Sequence, residues 1–461
     1  MSRVLVAGVC PLPFEDTLRS YGPGIRTWQF AWSLARAGHE VRLVAMKTPG
    51  AYGEASPSSE VRGGIAIERL SDVAFLDPTT LRGAIREFGP EALVGASLYG
   101  SAAVARTGTR LPFWADQFGH VMAEAQAKAA IEGRNWPVAH AWGLLRPVLR
   151  AADRLSVVSE RQRYAAIGEL GAVGRLTAET CGYELTAVIA CALVPAEEAP
   201  RRPPAARGRP VRGVLVPENA FVVLWSGSLN VWTDMDTIAR GLETAMGRES
   251  RIHFVATGGA VPGLDAAAWE RFAALVQGSP HRERYHMEGW VPAGRVAEYV
   301  DEADLGILAD RPIYEGLLGS KNRVVQWMGA GLPVLYNRIG DLGDLLETRR
   351  LGLTFSPGDA SGVAERLLWA VDHTAELRET AARARAFALA ELSFEATTRD
   401  LVDWASEPRF APDAAWRACV DSPLSHSTWR QRAAALLRRL PLLRRSERLV
   451  ALWRRLLSAR G

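Results

Sequence analysis

Short apolar runs alternate with amphipathic stretches along this chain in two series, separated by a segment that has neither. The first series opens with Val4–Val9, passes through a Pro/Gly-rich loop into the amphipathic stretch Ile25–Ala37, stops at Gly38 and resumes with Val41–Ala45. That succession is a β-loop-α-β unit, which commits the runs to a parallel sheet with crossover helices. Ala92–Ala96, Leu111–Ala115 and Leu155–Val158 keep the rhythm, with helical stretches over 121–132, 137–151 and 159–169. Residues 195–212 then read PAEEAPRRPPAARGRPVR, rich in proline and charge, the composition of a linker. A second series starts at FVVLWSG (221–227) and runs through helix 234–246, strand 252–257, helix 265–277, strand 284–288 and helix 293–300. Strand 304–309, helix 320–329, strand 332–336 and helix 359–371 complete it. The expected fold is α/β: Rossmann-like, doubly wound domains over 1–195 and 216–405, a linker over 196–215, and a tail over 406–461. Ligands bind such sheets beyond the carboxyl ends of the strands, so the site is expected in the cleft between the facing halves.

Length and composition agree with this. A chain of 461 residues is too long for one ordinary core, and 48% apolar with 23% charged residues is the balance of a globular protein. The four cysteines, Cys10, Cys181, Cys191 and Cys419, show no C-x-x-C spacing and read as reduced thiols of a cytoplasmic protein. MSRVLVAGVC is strand-like rather than a signal peptide, and no run of 18 apolar residues predicts a membrane span. Charge is uneven. Residues 427–461 hold ten arginines and one acid, Glu447, a charge of +9 against +4 for the whole chain, which leaves −5 on the remainder. An acidic body argues against nucleic acid as a partner. The tail reads as amphipathic helices. Trp429, Ala433, Leu436 and Leu440 share one face, and beyond Pro441 so do Leu449, Leu452, Trp453, Leu456 and Leu457. Peripheral contact with the inner face of a membrane through 427–461 is expected, with packing on the body or a partner as the alternative.

Several ordered segments carry a family resemblance. GSKNRVVQWMGAGLPVLYN (319–337) resembles the donor-binding segment of family-4 (group 1) glycosyltransferases, where a helix ending in a small-residue G-x-P-V turn leads into a buried strand. HMEGWVPAGRVAEYVDEADLGIL (286–308), WSGSLNVWTDMDTIARGLE (225–243), the Gly-rich loop before helix 25–37 and ADRLSVVSE (152–160) are similar to further family segments, so the resemblance spans about residues 3–400. It implies the GT-B fold, transfer of a sugar from a nucleotide-diphosphate sugar to a glycan or lipid-linked acceptor, retention of anomeric configuration, and no cofactor or metal. The chain departs from the family at two places. The Glu-x7-Glu pair is absent: Gln326 stands at the second position and Leu318 at the first, with Glu315 three residues out of register. The Arg-plus-Lys pair after the first strand of the second domain is missing from 226–233.

A diphosphate leaving group needs its charge neutralised, and helix starts with cationic side chains do this. Gly319, Ser320, Lys321 and Arg323 open helix 320–329, and lysine is otherwise found only at positions 47 and 128, so Lys321 or Arg323 is expected on the diphosphate. By the resemblance, Tyr314 and Glu315 contact the sugar hydroxyls, Gln326 the ribose, Gly24, Gly227 and Ser228 the phosphates, and Trp290 and Val291 the nucleobase. Asp116 and His120 follow strand 111–115 and are the candidate general bases toward an acceptor hydroxyl, with Glu124 a further candidate. A capping Asp and a structural His compete with that reading. Asp234-Met235-Asp236 has metal-motif spacing but sits at a helix start, where acids are expected anyway, so no metal is expected. Two other readings fit parts of the pattern: a nucleotide-sugar epimerase of GT-B form, and a GT-B pseudoenzyme acting as a partner subunit.

Overall fold

The computed structural model describes residues 1–17, 21–52, 58–200, 209–260 and 266–420. The basic segment 427–461 therefore lies outside the described residues. Among those described, fourteen strands form two sheets. The first holds β1 (Arg3–Cys10), β2 (Glu40–Lys47), β3 (Ser59–Arg62), β4 (Ile65–Leu70), β5 (Ala92–Gly95), β6 (Phe113–Asp116), β7 (Arg154–Val157) and β8 (Thr186–Val188), in the order β3-β4-β2-β1-β5-β6-β7-β8. Only the β3–β4 pairing is antiparallel. The second sheet holds β9 (Phe221–Ser228), β10 (Ile252–Gly259), β11 (Tyr285–Gly289), β12 (Leu305–Leu308), β13 (Val334–Asn337) and β14 (Leu353–Phe355), in the order β11-β10-β9-β12-β13-β14, all parallel. In both sheets the chain winds outward from the first strand, returns, and winds the other way. Central strands are buried on both faces because crossover helices cover both, which is why they read as unbroken apolar runs.

Winding reverses beside β1 in one sheet and beside β9 in the other, and each reversal opens a crevice at the strands' carboxyl ends. Those ends face one another. Ser159, after β7, donates through Oγ to the Leu318 carbonyl at 2.7 Å. The Glu160 amide donates to Asp341 at 2.6 Å, and Arg161 pairs with Asp344 at 2.6 Å. The cleft expected from sequence is therefore bounded by loops of both sheets, the GT-B arrangement.

Two boundaries differ from the expected ones. Residues 394–405, expected within the second domain, lie on the first: Phe394, Leu401, Trp404 and Ala405 are buried with Trp28, Trp32 and Trp114. The Trp32–Phe394 and Trp114–Trp404 rings meet edge-on at 5.7 and 5.6 Å. Two short helices carry an apolar stripe there, and the first sheet supplies its cover; nothing in their periodicity states which sheet that is. The described part of the linker is also docked. Val211 and Arg212 donate their amides to Glu302, and Arg212 pairs with Asp304 at 2.5 Å, which fastens it to the second domain.

Candidate functional site

Three loops of the second sheet and one helix start of the first converge on the cleft. The helix Asn322–Ala330 buries Val324, Val325, Trp327 and Met328 and stops at Gly331. Its N-cap, Lys321, makes no side-chain cap and its first turn has no acid. The helix Gly22–Arg36 likewise has no side-chain cap and no acid in its first turn. These two starts meet: a Cβ on Gly22 would stand 2.9 Å from Asn322 Nδ2. Two helix starts, each a positive dipole end, thus lie side by side, an arrangement suited to an anion. Gly24 makes the approach of its helix to the first sheet possible, since a Cβ there would lie 1.9 Å from the Pro11 carbonyl oxygen.

The guanidinium of Arg323 completes this corner. It lies over the Trp225 ring at 4.4 Å and donates through Nη2 to the Ser228 carbonyl at 2.9 Å. Gly227, at φ +95°, leaves the room: a Cβ would stand 3.0 Å from Arg323 Nη2. Arg323 Nη1 is buried with no hydrogen-bond partner among the described residues. Burial pulls the guanidinium down to about 10, against the pull of Asp310, so it stays charged at neutral pH. The guanidinium thus reaches the loop after β9 from the helix Asn322–Ala330.

Lys321 is placed otherwise than the sequence reading had it. Its ammonium donates to both oxygens of Glu315 at 2.8 and 3.0 Å and lies 3.5 Å from Asp310. The side chain is 10% exposed, those of Glu315 and Asp310 4% and 1%. Burial works to lower the lysine, but the two carboxylates outweigh it and hold the ammonium above its ordinary value. A cation so neutralised is not free for a diphosphate. Burial pushes Glu315 up to about 7, with Lys321 opposing and Asp310 and Glu124 adding to the rise. Asp310 also accepts from Tyr336 Oη at 2.5 Å, and its amide donates to Asn337 Oδ1 at 3.0 Å. Asp310 and Asn337 were not singled out from sequence. The available signal was a polar residue directly at or just beyond the end of a buried apolar run.

Gln326 is likewise engaged elsewhere. Its Oε1 accepts from the Val194 amide at 3.2 Å and its Nε2 donates to the Ala192 carbonyl at 2.9 Å, so it clamps the segment leaving the first sheet. Ser320 lies against the buried Cys191 thiol. A Cβ on Gly319 would stand 2.8 Å from the Glu315 carbonyl oxygen, so that turn is closely packed. Trp290 donates through Nε1 to the Ala260 carbonyl at 3.1 Å, Val291 packs on the second core, and Tyr314 is exposed.

On the first-domain side, Asp116 is a strut. Arg26 grips it through Nε at 3.1 Å and Nη2 at 2.7 Å, Ser156 donates at 2.6 Å and the Ser97 amide at 3.0 Å. Both Arg26 and Asp116 side chains are fully buried. With four donors on its two oxygens, Asp116 has no room for an acceptor hydroxyl, which corrects the sequence expectation. His120 caps the helix Val121–Glu132, its Nδ1 accepting from the Ala123 amide at 3.1 Å. Burial lowers the basicity of the ring, and Nε2 faces Glu169 at 3.4 Å. Burial raises Glu169, which also accepts from Gln117 at 3.1 Å. The helix His120 starts packs against the helix Tyr314–Leu318 of the second domain, so His120, Glu124 and Glu315 belong to one wall.

Residues 220–373 match the sequence model of the family Glycosyl transferases group 1. That stretch is similar to group 1 glycosyl transferases. Solved structures of similar shape extend the likeness over both sheets. Sucrose-phosphate synthase from Thermosynechococcus elongatus superposes with a TM-score of 0.64 at 17% identity, over 88% of this chain and 99% of the other. HepE of Anabaena, solved in complex with UDP-glucose, gives 0.61 at 15% identity, over 88% and 100%. An α,α-trehalose-phosphate synthase (UDP-forming) from Burkholderia vietnamiensis gives 0.60 at 12% identity over the same shares. At these identities the likeness establishes the fold. No curated protein matches the chain in sequence. Within the matched stretch, 220–373, lie β9 to β14, Arg323, and the Asp310–Glu315–Lys321 cluster.

Proposed function

We propose that the chain is a glycosyltransferase that holds a nucleotide-diphosphate sugar in the cleft and passes the sugar to an acceptor bound on the first-domain side. One observation carries this: two uncapped, acid-free helix starts meet at Gly22 and Asn322, beside a buried guanidinium nitrogen of Arg323 that has no partner among the described residues. A diphosphate supplies the missing charge and acceptors to all three. Helix dipoles and Arg323 also stabilise the charge that develops as the diphosphate departs, which supports a reading without metal. Retention of configuration belongs to the same proposal and comes from the family. So does a glycan or lipid-linked acceptor of bacterial surface assembly. The solved relatives named above include one bound to UDP-glucose, so a UDP-sugar is the first donor to test.

Glu315 is proposed at the sugar, held in place by Lys321. His120 with Glu169 is the proposed acceptor-side pair: Nδ1 of His120 is taken by the Ala123 amide, so Nε2 is directed at Glu169 as a donor, and the Glu169 carboxylate is the group proposed to take a proton. The absent Glu-x7-Glu and the engagement of Gln326 on the crossover segment favour, as a second reading, a pseudoenzyme that binds donor without turning it over. A thermal-shift panel of nucleotide-diphosphate sugars tests the proposal: one donor is expected to raise the melting temperature by several degrees, and its turnover then separates enzyme from pseudoenzyme. No shift with any donor removes both readings.

A further inference from the structure

The segment Ile189–Val194, which leaves β8, lies between the two helices whose starts meet at the cleft. The helix Gly22–Arg36 holds it from one side. Arg26 donates through Nη1 to the Ile189 and Ala190 carbonyls at 2.7 and 3.2 Å, and Gln29 donates through Nε2 to the Ala190 carbonyl at 3.4 Å. The helix Asn322–Ala330 holds it from the other. Gln326 takes the Val194 amide and the Ala192 carbonyl, and Gly329 leaves room for Leu193, since a Cβ there would stand 2.2 Å from Leu193 Cδ1. Arg26 and Gln326 occupy the same place in their helices, four residues past the first, which is about one turn. One turn behind the anion corner, a strip of backbone therefore parts the two helices and is bonded to both.

The strip is itself held in line. Its Leu193 amide donates to the Leu392 carbonyl at 2.7 Å, and Leu193 pairs in parallel with Ser393, where the chain returns from the second sheet to the first. Gln29 reaches this return as well, donating through Nε2 to Thr397 Oγ1 at 2.8 Å, and both Gln29 and Arg26 are buried. The side chain at 326 suits its place. The strip offers it one N–H and one carbonyl, and an amide answers both, whereas an ionised carboxylate has no donor for the carbonyl. The position where the family resemblance puts a ribose-binding glutamate thus carries the residue the strip requires.

We propose that Ile189–Val194 is a spacer that fixes the separation of the two helix starts, with Gln326 and Gln29 as its positioning residues. Both act through the strip rather than on a ligand. Resting on the sugar-transfer reading, the separation so fixed is the one that fits a diphosphate, and Gln326 supports diphosphate affinity without touching ribose.

Two measurements on the full-length protein test this. The first is the spin-label distance between Arg36→Cys and Ala330→Cys, exposed positions at the far ends of the two helices, with Cys181→Ser and Cys419→Ser as background and the buried Cys10 and Cys191 kept. A narrow distribution is expected, and a broader one once Gln326→Met or Gln29→Met is added. The second is calorimetric affinity for uridine and UDP, with guanosine and GDP as a second pair. Gln326→Met, Gln326→Glu and Gln29→Met are expected to lower diphosphate affinity about five- to tenfold, the scale of one hydrogen bond, and to leave nucleoside affinity unchanged. Where a methionine variant folds poorly, Gln326→Glu carries the same test, because it keeps the bond from the Val194 amide. A ribose contact has another signature: Gln326→Met lowers nucleoside and diphosphate affinity by one factor, and Gln326→Glu keeps or raises both. That result overturns the proposal, as do distance distributions that the variants leave unchanged. Broadened distances in a protein that binds no diphosphate retain the spacer and remove the sugar-transfer reading.

Discussion

Lys321 and Arg323 stand two positions apart on one helix start and do different things. Lys321 is closed in by Glu315 and Asp310, and Arg323 keeps a nitrogen without a partner among the described residues. Removing the lysine leaves two buried carboxylates without their cation, so Lys321→Met is expected to cost about 3–5 kcal/mol of stability, read as a shift in denaturant midpoint. A cost below about 1 kcal/mol, the value of an exposed pair, would show that the cluster is solvated. Glu315 adds a pH dependence of definite sign. Its folded value of about 7 lies above the ordinary 4.5, so between the two the folded state holds the proton more tightly. The contribution of Glu315 to stability is therefore full below about pH 4.5 and is lost as pH rises through about 7, and Glu315→Gln is expected to flatten that slope. A wild-type stability that rises over the same interval would contradict it. Sequence gave Lys321 its prominence through the rarity of lysine, a sound reason to look there and no guide to what it touches. Its partner Asp310 was missed because a lone acid after an apolar run looks like any loop residue. Arg323 was seen, but its place under the β9 loop depends on Gly227 leaving room, a tertiary fact.

At the scale of elements, rhythm was legible and address was not. Parallel strands covered on both faces make apolar runs that can be counted, and the two sheets fall where the runs do. The β3–β4 hairpin escaped notice because it is short, half exposed and set at the sheet edge. Residues 394–405 were assigned to the wrong sheet because an apolar stripe records that cover is needed, not what provides it. Asp116 shows the same limit: its position beyond a strand end is where catalytic groups sit, yet Arg26, Ser156 and Ser97 occupy it fully. The Arg26–Asp116 pair joins the first crossover helix to β6. Asp116→Ala leaves a buried guanidinium uncompensated and is expected to lower stability by about 3–5 kcal/mol. An unchanged denaturation midpoint would reopen the catalytic reading of Asp116.

The whole molecule sets two doubly wound sheets against each other so that their crevices share one space. Neither half holds the anion corner alone: one helix start and the guanidinium come from the second sheet, the other start from the first. On the proposed function, binding a diphosphate is thereby coupled to the closeness of the two halves. The most direct test is an affinity ladder by titration calorimetry: nucleoside, monophosphate and diphosphate of each base against wild type and Arg323→Ala. Affinity should rise steeply only at the diphosphate, and Arg323→Ala should lose about 10- to 100-fold there, the worth of a charged hydrogen bond of roughly 1.5–3 kcal/mol, while nucleoside binding is unchanged. Equal affinity across the ladder, or a diphosphate affinity untouched by Arg323→Ala, would contradict the account.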